Sequence, residues 1–162
     1  MMRVIWIMVF AGFILTTDIQ GQTDGFWLGI IAGEPTGFSA KKWMTPSKAV
    51  DGALAWSFIG DPAFHLHADY LGHANKWFDE FEGRLHFYYG LGGRFKLEGD
   101  GGGEKHKDGD DVRLGLRIPL GLTYLFADVP LDAFIEIVPV MDFFPETELG
   151  ANAGIGVRYH LR

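Results

Sequence analysis

The sequence predicts an all-β fold, an eight-stranded antiparallel up-and-down transmembrane β-barrel. Three observations lead to this prediction: strands that alternate apolar and polar residues, a surplus of bulky apolar side chains on one parity, and an apolar amino-terminal segment. Residues 84–97 show the clearest alternation, with Leu, Phe and Tyr on one parity and mainly Arg, His, Lys and Gly on the other. Because successive strand side chains point to opposite faces, this strand has one apolar and one polar face.

The first 21 residues have the composition of a secretory signal peptide. Arg3 precedes an apolar run over residues 4–15, and Gly21 is a small residue at the expected cleavage site. The run is shorter than the roughly 20 residues of a membrane-spanning helix. We therefore expect residues 1–21 to be removed and residues 22–162 to form the barrel, the alternative being an uncleaved anchor.

The rest of the chain divides into eight expected strands, each long enough to cross a bilayer at a tilt. Short Gly-, Pro-, Asp- and Ser-containing segments separate most of them, and the polar, glycine-rich segment 99–111 is the longest connection. An even number of strands places both termini on one side, which we expect to be periplasmic, with the long connection outside. The expected strands are 25–33, 36–44, 49–59, 63–73, 83–97, 111–126, 131–142 and 149–161.

The distribution of side-chain volume predicts which face points outward. The polar parity contains many small residues, such as Gly90, Gly115 and Gly154, whereas the other parity is rich in Leu, Ile, Phe and Tyr. The interior of an eight-stranded barrel is just wide enough for side chains to fill, so the bulky parity does not fit inside. The sequence therefore predicts an apolar surface that faces lipid and a polar lumen.

Aromatic residues near the strand ends are expected to form two girdles at the membrane interfaces. One girdle would contain Trp56, Phe58 and Phe64, and the other Tyr124, Phe126 and Tyr159.

The polar parity carries charges of both signs, which should pair because an isolated buried charge is costly. We expect Glu136 to pair with Arg117 or Arg158, since their strands flank its own. The network would close the lumen, with a gated ion path as the alternative. Its expected members are Lys41, Asp51, Asp69, Arg84, Arg94, Lys96, Arg113, Arg117, Asp132, Glu136, Asp142 and Arg158.

Two other groups of polar residues are weaker candidates for chemistry. His65 and His67 share one strand face, and with His86 on the next strand they offer imidazole ligands for Zn, Cu or Ni. Ser57 and His65 flank an expected hairpin, and a hydrolase would need a hydrogen bond between them. No motif supports either site, so we expect no metal, no cofactor and no catalysis.

Five segments of the chain resemble small outer-membrane β-barrels of Gram-negative bacteria. They are residues 33–41, 65–70, 89–94, 117–122 and 154–159. The chain is similar to the eight-stranded barrels grouped with the OmpA transmembrane domain and the outer membrane protein beta-barrel families. The resemblance implies residence in the outer-membrane lipid bilayer and insertion by the barrel-insertion machinery.

Composition narrows the classes of protein to which this chain could belong. A net charge of −7 gives no reason to expect nucleic-acid binding, and the absence of cysteine excludes a disulfide framework. We expect a structural or surface-interaction protein with a closed lumen. The main alternative is a narrow, porin-like path for small solutes, and lesser alternatives are a lipid A-modifying enzyme and a soluble lipocalin-like barrel.

Overall fold

A computed structural model describes residues 25–58, 62–74, 84–99 and 111–161. The expected signal peptide and most of the long polar connection lie outside these residues. Within the described part of the chain, no helix has the length and apolar character needed to cross a membrane.

Antiparallel strands make up nearly all of the described chain, and their bounds agree with the expected ones to within two residues, except where one expected strand is divided. They are β1 (Phe26–Glu34), β2 (Thr36–Thr45), β3 (Lys48–Ser57), β4 (Ala63–Ala74), β5 (Arg84–Glu98), β6 (Asp111–Arg117), β7 (Leu120–Leu125), β8 (Leu131–Phe144) and β9 (Glu148–Leu161).

The segment expected as one strand, 111–126, is divided into β6 and β7 at Ile118 and Pro119. Proline has no N–H group and cannot complete the hydrogen-bond ladder at this position. The register nevertheless continues across the break, because Arg117 pairs with Gly92 of β5 and Leu120 pairs with Tyr89. β6 and β7 therefore occupy a single strand position in the barrel wall.

The sheet closes on itself through eight strand positions. Around the ring, the strand positions follow the order β4, β3, β2, β1, β9, β8, β6/β7, β5. The ring closes because β5 also pairs with β4. Such closure removes the unpaired edges of an open sheet. The predicted eight-stranded antiparallel barrel is confirmed.

Side chains alternate between a polar interior and an apolar exterior, as the sequence predicts. On β4, His65, His67 and Asp69 are buried, whereas Leu66 and Tyr70 are 45% and 51% exposed. The exposed apolar residues of other strands include Ile30, Phe38, Leu54, Leu91, Leu114, Leu116, Leu120, Ile137 and Ile155.

Glycines on the inner face make room for side chains that cross the lumen. A Cβ atom at Gly92 would collide with the Asp69 carboxylate, and one at Gly121 would collide with the Tyr88 ring. Glycine at these two positions is thus required by the side chains that the lumen contains.

The two ends of the barrel differ. We call the end where β1 begins and β9 ends the terminal end, and the end where β5 and β6 are connected the loop end. Trp27, Trp43, Ala49 and Leu125 form a buried apolar cluster close to the terminal end. A second buried cluster contains Ile31, Ala53, Leu71, Tyr88 and Phe134.

The residues expected to form girdles lie near both ends. At the loop end the rings of Trp56 and Phe64 are 5.7 Å apart, and Phe58 is 75% exposed. At the terminal end the rings of Tyr124 and Phe126 are 4.9 Å apart. Tyr159 lies at this end too, with an exposed side chain.

Candidate functional site

The candidate site is the charged lumen, which begins at the loop end with partly exposed ion pairs. Lys96 Nζ lies 2.6 Å from Glu98, and Arg113 Nε donates to Glu98 over 2.8 Å. Arg113 also contacts Glu148, whose side chain is 62% exposed. Solvent screens pairs of this kind, so they contribute little to stability.

A buried pair lies below this rim and joins strands that are not neighbours. Arg94 of β5 donates from Nε to Asp142 Oδ1 of β8 over 2.8 Å, and Nη2 donates to the second carboxylate oxygen. Nη1 donates to Asn152 Oδ1 of β9 at 3.2 Å. The two-pronged contact fixes the guanidinium orientation and connects three strands across the lumen.

Arg117 lies at the centre of the next group. Its Nε is 3.0 Å from Asp69 Oδ1 on β4, and its Nη2 is 3.7 Å from Glu136 Oε1 on β8. The hydroxyl of Tyr88 donates to Glu136 Oε2 over 2.9 Å. Glu136 is thus in contact with the cation of Arg117 on β6 and accepts a neutral hydrogen bond from Tyr88 on β5.

Arg158 is fully buried between two carboxylates. Its Nε lies 3.2 Å from Asp132 Oδ1 on the adjacent strand β8. Its Nη1 donates to Asp51 Oδ2 on β3 at 3.4 Å, three strand positions away in the ring. The guanidinium carbon also lies 3.9 Å from the centre of the Phe134 ring. This single side chain therefore connects nearly opposite walls.

Lys41 completes the column of buried cations toward the terminal end. Its Nζ lies 2.9 Å from His73 Nε2, and 4.4 Å and 5.5 Å from the ring centres of Trp43 and Tyr88. Aromatic faces stabilise a nearby cation through their quadrupole. The charged column thus adjoins the apolar cluster of the terminal end.

Taken together, these contacts fill the lumen with side chains that bind each other. An ion that crossed the barrel would have to separate pairs held from different walls, in a space that eight strands leave just wide enough for side chains.

Nearly all residues expected in the charge network lie in the lumen or at its mouth. Arg84 is the exception, since its backbone pairs with Leu125 but its side chain lies outside the described residues. Five polar partners were not among the expected members: Tyr88, His73, Asn152, Glu98 and Glu148. Tyr88, His73 and Asn152 belong to the inward parity of expected strands, which was the available signal, whereas Glu98 and Glu148 each lie one residue outside an expected strand.

The weaker candidate sites are not assembled. His65 pairs in register with Lys96 and His67 with Arg94, whereas His86 pairs with Thr123 farther along β5. Its ring lies 6.3 Å from that of His73. Among the described residues, no three His, Cys, Asp or Glu side chains form a group that could hold a metal ion.

The serine candidate makes no hydrogen bond to the histidine expected as its base, although both side chains are buried on the inner face of adjacent strands. Ser57 pairs with Ala63 at the end of β3, and no hydrogen bond joins it to His65 among the described residues. A nucleophile needs such a contact for activation.

The described residues thus form a closed ring of eight antiparallel strand positions with an apolar exterior and a charged interior, which defines a β-barrel fold. The crystal structure of the N-terminal β-barrel domain of Pseudomonas aeruginosa OprF is similar, with a TM-score of 0.60 and 14% sequence identity. The similarity covers 84% of this chain and 96% of the OprF domain. No protein-family model matches the sequence, and no curated protein matches it.

Proposed function

We propose that this protein is an outer-membrane β-barrel whose lumen is closed by its own ion pairs and whose role is structural or surface-interacting. The observation that carries the proposal is Arg158, which is fully buried and contacts carboxylates on β3 and β8. A side chain held from nearly opposite walls blocks the path along the axis.

The outer membrane as location is supported by the exterior. Large apolar side chains are exposed around the whole ring, as on β1, β3, β5 and β9. Soluble proteins rarely expose contiguous apolar patches beyond a few hundred Å². Lipid is the solvent that suits this surface, and a barrel satisfies its backbone groups internally, as crossing a bilayer requires.

The orientation follows from strand number. β1 begins and β9 ends at the terminal end, and with this end in the periplasm the connection between β5 and β6 faces the cell exterior. That segment is glycine-rich and polar, which suits contact with the medium or with a surface partner.

Cell fractionation followed by a detergent gel tests the proposal. We expect the protein in the outer-membrane fraction and faster migration of unboiled than of boiled samples, because a closed barrel resists detergent unfolding at room temperature. Recovery in the soluble periplasmic fraction, with identical migration before and after boiling, would instead support the soluble barrel.

A further inference from the structure

Two lysines depart from the rule that cations face the lumen. Among the lysines and arginines whose side chains the structure describes, Lys42 and Lys48 lie exposed on the outer surface, whereas the others lie in the lumen or at its mouth. Neither lysine forms an ion pair with another described residue. The two ammonium groups therefore have no counter-charge among the described residues.

Both lysines lie on the same side of the wall, at the terminal end. Lys48 is the first residue of β3, and Lys42 lies near the end of β2, in register with Val50. Since Lys48 and Val50 are two residues apart on one strand, all three side chains share the outer face. The two ammonium groups thus belong to neighbouring strands.

The surroundings of the lysines are apolar or aromatic. Lys42 is also in register with Phe26 of β1, and Lys48 is in register with Gly72 of β4. Gly72 has no side chain, and the Tyr89 ring lies 3.4 Å from the position that a Cβ atom would take there. The phenol of Tyr89 therefore lies over Gly72, beside Lys48.

Depth in the bilayer determines which ligand fits. A lysine on the lipid face costs about 2–4 kcal/mol at the midplane but roughly 0–1 kcal/mol near an interface. At an interface, the long side chain extends to the headgroups while its methylenes cover apolar surface. A pair of ammonium groups at this level matches the phosphate of a lipid headgroup in charge and in hydrogen-bond donors.

The remaining charges agree with an anionic ligand. Near the terminal end Asp128 is exposed, but it lies in the β7–β8 turn, three strand positions from β3. Exposed carboxylates Glu146 and Glu148 belong to the loop end. Among the described residues, the outer face of β2 and β3 near this end therefore carries two cations and no exposed carboxylate.

We propose that Lys42 and Lys48 bind the phosphate of an anionic phospholipid in the leaflet that surrounds the terminal end. The proposal rests on the membrane location proposed above. Phosphate lies between the two ammonium groups, the acyl chains follow Phe26 and Val50, and the phenol of Tyr89 lies beside the headgroup.

The test uses the protein in vesicles that contain equal amounts of phosphatidylglycerol and phosphatidylcholine. After extraction in mild detergent, native mass spectrometry measures the lipids retained per barrel. We expect the wild type to retain several-fold more phosphatidylglycerol, and the K42Q/K48Q variant to retain both lipids equally. The K42R/K48R variant keeps the charge and is expected to keep the preference.

Equal retention by the wild type, or an unchanged preference in K42Q/K48Q, would overturn the lipid site. Displacement of the bound lipid by inorganic phosphate at physiological concentration would overturn it too, because it would identify a site for the free ion. Flotation and the gel shift are measured on the same vesicles. A barrel that floats and shifts but shows no preference contradicts the lipid site alone, whereas failure to float contradicts the membrane location as well.

Discussion

Arg158 shows how one buried residue can connect the carboxylates of two strands inside the barrel. Its side chain is fully buried, and its charge is matched by Asp51 and Asp132 on two different strands. Desolvation of such a group costs several kcal/mol, which the carboxylates offset only while all three remain in place. The group thus works as a unit, and removal of the cation leaves two buried anions facing each other.

We expect the R158M variant to lower the free energy of unfolding by about 3–5 kcal/mol, because two carboxylates lose their buried cation. Urea unfolding from phospholipid vesicles, followed by tryptophan fluorescence, measures the change. The control is D128N, which removes a charge from an exposed turn position and should alter stability by about 0.5 kcal/mol or less. Equal effects of the two variants would contradict the paired role of Arg158.

Tyr88 provides a test of a neutral contact within the same network. The Y88F variant keeps the ring but leaves Glu136 Oε2 without the hydroxyl donor that lies 2.9 Å away. We expect a loss of about 1–3 kcal/mol, since an unsatisfied buried acceptor retains its desolvation cost. Y70F, on the exposed face of β4, should show almost no change in the same unfolding experiment. A matching loss in both variants would argue against the hydrogen bond.

Along each strand, the alternation of side chains separates an apolar outer face from a polar inner face. The period of two holds along most of each strand, apart from register shifts near Trp43 and Leu114. A slip of one residue would therefore exchange the two faces. β9 displays both faces clearly, with Ile155 and Leu161 outside and Arg158 inside. Ile155 lies in the middle of this strand, whereas Leu161 is its last residue.

The I155R and L161R variants compare two depths on one strand. An outward arginine should cost about 2–4 kcal/mol at the midplane and roughly 0–1 kcal/mol at an interface, because the bilayer is driest at its centre. Unfolding from vesicles measures both variants against the wild type. Equal, small effects would show that the exterior of β9 is in contact with water.

The strands could be predicted from the sequence, whereas the pairing of their charges could not. Alternation alone gave the strand positions and the inward parity of residues such as Arg117 and Asp69. The partner of Arg158 on β3 lies 107 residues away, and its identity depends on the stagger of strands around the ring. The break at Pro119 was missed because the apolar parity continues through it without interruption.

The whole molecule combines a closed wall with an interior held together by contacts across the axis. Such contacts join strands that the backbone ladder does not connect, as between β5 and β8 or between β9 and β3. The lumen thus resembles the core of a soluble protein in its packing, although it consists largely of paired charges.

Planar-bilayer recording tests closure of the whole barrel. We expect no steady single-channel openings from the purified protein, because the ion pairs and the apolar cluster fill the axis. A general-diffusion porin inserted under the same conditions serves as the positive control. Steady openings with a reproducible conductance would favour the narrow, porin-like path.

The apolar cluster at the terminal end has a further consequence. Trp27, Trp43, Ala49 and Leu125 have almost no contact with solvent, whereas Arg113 and Glu148 at the opposite end are partly or largely exposed. Solvent therefore reaches the charged side chains at the loop end more readily than those beside the apolar cluster. In the orientation proposed here, we expect changes of salt outside the cell to affect the ion pairs at the loop end first, because solvent ions screen exposed pairs more than buried ones.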